Sequence, residues 1–225
     1  MSRILKSLYH SISNSFSKNH LHFIRSLQFM NRKRNIEMER MDYIRISSLE
    51  LIADEIYRNG VTGSVAELGV YKGDFAKDIN KLFSDRKFYL FDTFSGFDSR
   101  DVATELNKNY SEGTQDFSNT SVEFVLAKMI APQNCIVRKG YFPETANGLE
   151  DTFCFVSIDA DLYEPILFGL NYFYPRLAKG GYIFVHDFNN DLYKGSREAV
   201  YDFCKKNSIP FFPLSDIGGT AIISK

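Results

Sequence analysis

Tryptophan is absent from this sequence of 225 residues, and cysteine is scarce, with only Cys135, Cys154 and Cys204. The cysteines are odd in number and form neither a C-x-x-C pair nor a cluster with zinc-ligand spacing, so neither a disulfide framework nor a structural zinc site is expected. This usage fits a reducing compartment, and we expect a cytoplasmic protein. No apolar stretch has the length that a transmembrane segment requires.

The sequence also lacks a strong overall charge, because its formal net charge is −1. Residues 1–36 nevertheless contain seven basic side chains and no acidic one, whereas the remaining residues hold 20 basic and 28 acidic side chains, a net charge of −8. An acidic main body argues against a protein that binds nucleic acid.

The basic N-terminal arm, residues 1–40, has apolar residues spaced along one helical face: Ile4, Leu5, Leu8, Ile12 and Phe16. Polar residues interrupt the apolar run that a secretory signal requires. Such an arm packs on its own domain or on a second subunit, lies on an anionic membrane surface, or acts as an organelle transit peptide. The packing interpretation is favoured, and it makes a homodimer formed through the arm plausible.

Residues 41–225 have the length and the ordinary apolar content for one α/β domain with a full core. Apolar spacing predicts a helix over residues 41–58, with Gly60 just past its end. Ser47 and Glu50 fit a capping box, which predicts that the helix restarts there.

A short apolar strand over residues 64–68 leads into a glycine-bearing turn and a helix. Gly69 allows a ligand to approach the backbone, and Gly73 gives the chain the conformational freedom to begin a helix. A second strand over residues 88–91 ends in Asp92, which completes a βαβ unit. An acid at this place commonly binds the ribose hydroxyls of a nucleotide.

The turn reads E-x-G-x-x-x-G, with Glu67 where a dinucleotide fingerprint has its first glycine. A carboxylate there would repel a pyrophosphate, which argues against NAD. It would suit S-adenosylmethionine, which carries an ammonium and a sulfonium and no phosphate. The alternative is a doubly wound domain with an incidental Glu67 at a turn, and this stretch alone does not decide between them.

A polar segment at about residues 98–119 is too long for an ordinary connection, so it is either a lid over the sheet edge or a mobile surface loop. Thr120 and Glu123 fit a capping box that opens a helix through residue 130. A third strand follows over residues 135–137.

Acidic residues and a histidine follow the last two predicted parallel strands. Asp159 and Asp161 come after a strand over residues 153–158, and His186 and Asp187 come after a strand over residues 182–185. A helix over residues 166–177, stopped by a Gly-Gly pair at residues 180–181, joins the two strands. Strands joined in this way usually lie side by side, so the four side chains are expected to meet where open α/β sheets bind ligands.

Three carboxylates and an imidazole in one place repel one another unless a proton or a cation joins them. Oxygen-rich ligation suits Mg²⁺, and one imidazole makes Mn²⁺ an alternative. His186 is therefore expected to be a metal ligand or an acid/base group rather than a packing residue.

Four motifs occur in a fixed order: ELGVYKG (67–73), FDTFSGF (91–97), SIDADLYE (157–164) and GGYIFVHDF (180–188). Together they resemble the macrocin-type sugar O-methyltransferases over about residues 41–225. The resemblance implies a Rossmann-like class I methyltransferase fold, with a mostly parallel seven-stranded sheet. A C-terminal antiparallel hairpin is also expected, and Gly218-Gly219 between predicted strands 211–214 and 220–224 fits it.

The resemblance also implies roles for individual residues. It makes Asp161 the general base and Asp159 and Asp187 metal ligands, with His186 in place of one of two adjacent acids in the family. The cofactor-binding residues would be Glu67, Gly69, Tyr71, Gly73, Asp92 and Ser95.

The sequence thus predicts an S-adenosylmethionine-dependent O-methyltransferase, assisted by Mg²⁺ or Mn²⁺, that acts on a hydroxyl of a sugar or glycosylated small molecule. One rival is a metal-dependent hydrolase in which the same four side chains activate water. A second rival is a non-catalytic binding or assembly protein that works through its basic arm.

Overall fold

The structure is a computed structural model that describes residues 42–225 and, in the N-terminal segment, Leu8, Ser11, Ile12, Ser15 and Phe16. The chain divides into two compact units, residues 1–37 and 38–225. The basic arm, its apolar face and any dimer formed through it therefore lie almost wholly outside the described residues. None of the described helices is both long and apolar enough to cross a membrane.

Helices and strands alternate through most of the larger unit. The helices are α1 (Tyr43–Arg58), α2 (Asp74–Leu82), α3 (Ser99–Lys108), α4 (Val122–Leu126), α5 (Tyr163–Arg176) and α6 (Lys194–Asn207). Two short 3₁₀ turns occur at Pro132–Asn134 and Glu144–Ala146. The strands are β1 (Ser64–Leu68), β2 (Phe88–Asp92), β3 (Cys135–Lys139), β4 (Phe153–Ile158), β5 (Leu177–Val185), β6 (Phe212–Leu214) and β7 (Thr220–Ser224).

The strands form one seven-stranded sheet in the order β3-β2-β1-β4-β5-β7-β6. Strands β1 to β5 are parallel, and β7 runs antiparallel to both β5 and β6. The central strands β1 and β4 are buried along their whole length, as apolar strands covered on both faces must be. The predicted mostly parallel seven-stranded sheet with a C-terminal antiparallel hairpin is confirmed.

Alternate side chains of the strands enter two separate cores. On one face Val65 and Phe155 pack with apolar residues of α1, α2 and α4. On the other face Ala66 and Val156 pack with apolar residues of α5 and α6. Because both faces are covered, polar ligands have access only at the strand ends.

Helix α1 is continuous, so the predicted restart at Ser47 is wrong. Asp42 caps the helix by accepting a hydrogen bond from the Arg45 N–H, and the Ser47 hydroxyl donates to the Ile44 carbonyl oxygen instead. A serine inside a helix satisfies its hydroxyl on the preceding turn when another residue already caps the end. The Ser47 motif was therefore a chance match.

The glycine pair at 180–181 does not stop α5, because β5 begins at Leu177 and runs through it. A Cβ on Gly181 would lie 2.9 Å from the Cys154 carbonyl oxygen, so glycine here allows the close approach of β4. The register of these two strands shifts at the same place. Close backbone contact, rather than chain termination, accounts for this glycine.

The segment after β2 contains helix structure that the polar sequence did not reveal. Helix α3 occupies residues Ser99–Lys108, within the predicted lid-like segment. The following helix α4 is capped by Ser121, not Thr120, and ends at Leu126 rather than near residue 130.

The ends of β1 and β4 approach each other at Gly69. The Asp159 N–H donates to the Leu68 carbonyl oxygen at 2.8 Å, which brings the Asp159 backbone against Gly69. Gly69 has a φ of +84°, and a Cβ there would overlap the Asp159 carbonyl group. Only glycine tolerates both the left-handed backbone and this contact.

Replacing Gly69 with alanine is expected to lower the free energy of unfolding by about 3 kcal/mol, since overpacking adds to the left-handed backbone cost. Gly148→Ala is the matched control, because Gly148 also has a positive φ (+72°) but open space around its Cβ position. That control should cost only about 1 kcal/mol. Urea unfolding measures both changes, and equal losses would contradict the contact.

Candidate active site

A cavity of about 360 Å³ opens at the carboxyl ends of the parallel strands. Eight of the predicted site residues line it: Glu67, Gly69, Tyr71, Asp92, Asp159, Asp161, His186 and Asp187. Gly73 and Ser95 are not among the lining residues. Ser95 is exposed, and Gly73 packs where a Cβ would lie 2.9 Å from the Val125 side chain.

Glu67 brings a buried acid to the floor of the cavity. The residue is 1% exposed, and its Oε2 atom has no hydrogen-bond partner among the residues that the structure describes. Burial, reinforced by the negative charge of Asp159, raises the pKa of Glu67 well above its ordinary value. An unsatisfied carboxylate oxygen in this position is suited to a cationic ligand, which would restore the ionised form.

Asp92 organises the two turns that border the cavity. Its Oδ2 atom accepts the N–H groups of Val70 and Tyr71 at 2.7 and 2.8 Å, and its Oδ1 atom accepts the Phe94 N–H at 2.6 Å. Tyr71 and Phe94 both have positive φ angles, 47° and 54°. The carboxylate thus holds two strained turns in place, in addition to lining the cavity.

The end of the segment from 98 to 119 folds over the glycine turn. The Tyr71 hydroxyl donates to Asn119 Oδ1 at 2.6 Å, and the Thr120 hydroxyl donates to the Tyr71 carbonyl oxygen. Phe117 packs edge-on against Tyr71 and Phe97, with ring centroids 4.9 and 5.0 Å apart. Aromatic side chains therefore form one wall of the cavity.

The beginning of the same segment is anchored to the domain. Glu105 of α3 is fully buried, and its Oε1 atom accepts the Tyr163 N–H at 2.7 Å. Helix α5 has no cap from its own N-cap side chain, so Glu105 supplies that hydrogen bond from α3. This anchoring fixes α3 beside the cavity.

Asp101 of α3 is a further buried acid in the cavity wall, and it was not among the residues predicted from the sequence. Its Oδ1 atom accepts the Tyr141 hydroxyl at 3.1 Å. Burial raises the pKa of Asp101 to about 7, against the opposing effect of the Tyr141 hydrogen bond. Its helical position next to Arg100 and Asp98 looks like a solvated surface in the sequence, which is why it was missed.

The side chains after β4 and β5 converge as the strand order predicted. His186 Nδ1 lies 3.1 Å from Asp159 Oδ1 and 2.9 Å from Asp187 Oδ2. The backbone places them together, because the His186 N–H donates to the Ile158 carbonyl oxygen at 2.9 Å. Negative charge on Asp159 raises the pKa of His186 to about 10, although burial alone would lower it.

Arg45 of α1 also belongs to this cluster, although it was not among the residues predicted from the sequence. Its Nη2 atom lies 2.9 Å from Asp159 Oδ2, and its guanidinium stacks over the Phe75 ring at 3.8 Å from the centroid. The sequence did contain a signal: Arg45 occupies the helical face of Leu49, Ile52 and Ile56, where a charge needs a buried partner.

Asp161 is the acid of the cluster without a basic partner at hydrogen-bonding distance among the described residues. The Asp161 backbone has a φ of 57°. The buried Ser196 hydroxyl donates a hydrogen bond to the Asp161 carbonyl oxygen at 2.6 Å. Burial and the neighbouring carboxylates of Asp187 and Asp159 raise the pKa of Asp161 well above its ordinary value. A carboxylate with a raised pKa is a stronger proton acceptor, as a general base requires.

The sequence profile of the family described as Macrocin-O-methyltransferase (TylF) matches residues 12–225. The chain belongs to this family. It is an S-adenosylmethionine-dependent O-methyltransferase, and the resemblance found in the four motifs is confirmed.

Two curated relatives are each 26% identical to the chain. The 8-demethyl-8-(2,3-dimethoxy-alpha-L-rhamnosyl)-tetracenomycin-C 4'-O-methyltransferase of Streptomyces olivaceus aligns over 79% of this chain and 71% of its own. The mycinamicin III 3''-O-methyltransferase of Micromonospora griseorubida aligns over 73% of this chain and 69% of its own.

Solved structures support the same fold. The O-methyltransferase NovP superposes with a TM-score of 0.65 at 20% identity, over 80% of this chain and 79% of that chain. The calicheamicin methyltransferase CalS11 has the same TM-score and identity, over 80% and 78% of the two chains. At this identity the likeness supports the Rossmann-like methyltransferase fold alone.

Asp101→Asn tests the environment of the buried acid in α3. A raised pKa means that the folded protein favours protonated Asp101, so this contribution to stability is full below about pH 4 and is lost as the pH rises through about 7. Asparagine is neutral throughout, so its stability relative to wild type should rise by about 2 kcal/mol between pH 5 and pH 8.

Melting temperatures of the cofactor-free proteins at both pH values measure this change. Asp116→Asn is the control, because Asp116 is exposed and its pKa is lowered, so it does not titrate in this interval. Parallel pH dependence of wild type and Asp101→Asn would refute the raised pKa.

Proposed function

We propose that the chain transfers a methyl group from S-adenosylmethionine to a hydroxyl of a sugar in a glycosylated small molecule. The observation that carries the proposal is the pairing of two acids in one cavity: the buried Glu67, with an unsatisfied oxygen, and the half-buried Asp161, with no basic partner at hydrogen-bonding distance among the described residues. The acceptor class is supported by the names of the two relatives, a 4'-O-methyltransferase of a rhamnosyl-tetracenomycin and a 3''-O-methyltransferase of mycinamicin III.

The residues around the glycine turn fit the cofactor. S-adenosylmethionine supplies an electrophilic methyl group on a sulfonium, together with an ammonium and a ribose. Glu67 Oε2 would accept the ammonium, and the missing side chain of Gly69 would let the cofactor approach the backbone. Asp92 and its neighbours at the start of the FDTFSGF motif would bind the ribose. Tyr71 would lie beside the cofactor.

Asp161 is the proposed general base. A sugar hydroxyl is a poor nucleophile until its proton is removed, and Asp161 would accept that proton as the oxygen attacks. The oxygen forms the bond to the methyl carbon while the carbon–sulfur bond breaks and its electron pair stays on sulfur. The raised pKa of Asp161 brings its basicity closer to that of the hydroxyl.

The lid-like segment would complete the site. Phe97 and Phe117 line the cavity, and Phe117 covers the glycine turn. A wall of aromatic rings excludes water from the methyl group and offers an apolar surface for a sugar ring or an aglycone. A homodimer formed through residues 1–40 stays a separate prediction.

The cluster of Asp159, His186 and Asp187 does not fit a divalent cation in its present arrangement. Both ring nitrogens of His186 face hydrogen-bond acceptors. Nδ1 faces the carboxylates of Asp159 and Asp187, and Nε2 lies 2.9 Å from the Ile217 carbonyl oxygen. A histidine whose two nitrogens both donate has no lone pair for a metal. No step of the proposed reaction is therefore assigned to Mg²⁺ or Mn²⁺.

Glu67→Gln should weaken S-adenosylmethionine binding by about tenfold to a hundredfold, because it removes a charge-assisted hydrogen bond to the ammonium. Calorimetric titration measures the dissociation constant. Glu150→Gln is the control, since Glu150 is exposed and lies outside the cavity lining. Unchanged affinity in Glu67→Gln would remove Glu67 from the cofactor site, and no detectable binding by wild type would end the proposal.

Asp161→Asn should retain cofactor binding and lose turnover by about 10²–10⁴-fold, because the amide cannot accept the hydroxyl proton. The assay follows S-adenosylhomocysteine formation with a panel of glycosylated acceptors. Asp191→Asn, an exposed aspartate outside the cavity lining, should keep wild-type turnover. Near-normal turnover in Asp161→Asn would exclude it as the base.

A further inference from the structure

The expected position of the metal holds two cationic groups of the protein itself. Arg45 Nη2 lies 2.9 Å from Asp159 Oδ2, and His186 Nδ1 lies 3.1 Å from Asp159 Oδ1. His186 Nδ1 also lies 2.9 Å from Asp187 Oδ2. Two cations thus face two carboxylates, and the charges of this group balance without an added ion.

The ligand atoms that a metal would need are already engaged. Each oxygen of Asp159 has a cationic partner, and Asp187 Oδ1 accepts the Asn190 side-chain amide at 2.9 Å while Oδ2 faces His186. His186 Nδ1 faces only carboxylates, and Nε2 faces the Ile217 carbonyl oxygen. The carboxylates keep further lone pairs, but an imidazole that donates from both ring nitrogens has none, so a divalent cation would first have to displace one of the contacts of His186.

Within residues 42–225 a second group with metal-ligand spacing exists, formed by Asp42, His186 and Asp216. It depends on the same imidazole, so the same obstacle applies. Neither group offers a ring nitrogen free of a hydrogen-bond acceptor.

Arg45 is a permanent part of this arrangement. A guanidinium stays charged in proteins, and the Arg45 residue is only 5% exposed. The Phe75 ring beneath it and the capped N-terminal turn of α1 hold it against Asp159. A second cation beside Asp159 would meet strong repulsion from a charge that cannot leave.

We propose that Arg45 and His186 take the place of a divalent cation in this chain, so that its methyl transfer proceeds without a metal. Arg45 is a positioning residue: it holds Asp159, which in turn orients His186 beside Asp187. This inference rests on the proposed function for its catalytic part, but metal binding tests it directly.

Mn²⁺ serves as the probe, because free and bound Mn²⁺ differ in their electron paramagnetic resonance signal. The full-length protein, treated with EDTA and dialysed, is titrated with Mn²⁺ in the presence and absence of S-adenosylmethionine. No site tighter than millimolar is expected in either condition. A site of micromolar affinity that Mg²⁺ displaces would overturn the inference.

The double variant Arg45→Met/His186→Asp should gain Mn²⁺ binding at least tenfold tighter than wild type, because it removes both cations and adds an oxygen ligand. Arg58→Met/His186→Asp is the matched control: Arg58 is exposed on the same helix, so Arg45 remains, and any gain should be smaller. Equal gains in the two double variants, or none in either, would overturn the role of Arg45. If melting curves show that a variant is unfolded, the wild-type titration decides.

S-adenosylmethionine titration and turnover in EDTA separate this inference from the proposed function. Cofactor binding and turnover that persist in EDTA support both. Turnover that EDTA abolishes and Mg²⁺ restores overturns the metal-free site and keeps the methyltransferase. Loss of cofactor binding in every buffer would contradict the proposed function. The Mn²⁺ titration would still test whether Arg45 and His186 exclude a divalent cation.

Discussion

The buried charge network at the ends of β4 and β5 is the constraint on which the active site depends. Asp159 lies between Arg45 and His186, and the two cations together with their hydrogen bonds allow its carboxylate to stay ionised in the interior, so its pKa is lowered even though burial would raise it. That network ties α1, β4 and β5 to one another through side chains. Glu67 and Asp161 have no basic hydrogen-bond partner among the described residues, so these two acids remain available to bind a ligand.

The cavity is also shaped by close backbone contacts. Gly69 lets the end of β1 lie directly against Asp159, and the carboxylate of Asp92 holds the two turns on the other side of β1. The aromatic wall then closes over a frame that these contacts keep rigid. Backbone contacts thus position the glycine turn and Asp92, while the segment between β2 and α4 supplies the aromatic wall.

Sequence patterns predicted most of the fold because they report local preferences. Buried apolar strands, the glycine turn and the Gly218-Gly219 hairpin all lie where the spacing placed them. The errors at Ser47 and Gly181 have one cause: a local motif is ambiguous until the neighbouring strand or cap is known. Helix α3 was missed because its polar surface conceals the buried Asp101 and Glu105, whose burial depends on contacts with Tyr141 and α5.

The sequence by itself determined the strand order that brings Asp159, Asp161, His186 and Asp187 to one edge, since a single crossover between parallel strands leaves little choice. It also determined the glycine turn with its acid, since that chemistry is local. Only the tertiary structure decided which charges neutralise one another. Arg45 is 114 residues from Asp159 in the chain, and no spacing rule reports a pair that long-range packing of α1 against the strand ends creates.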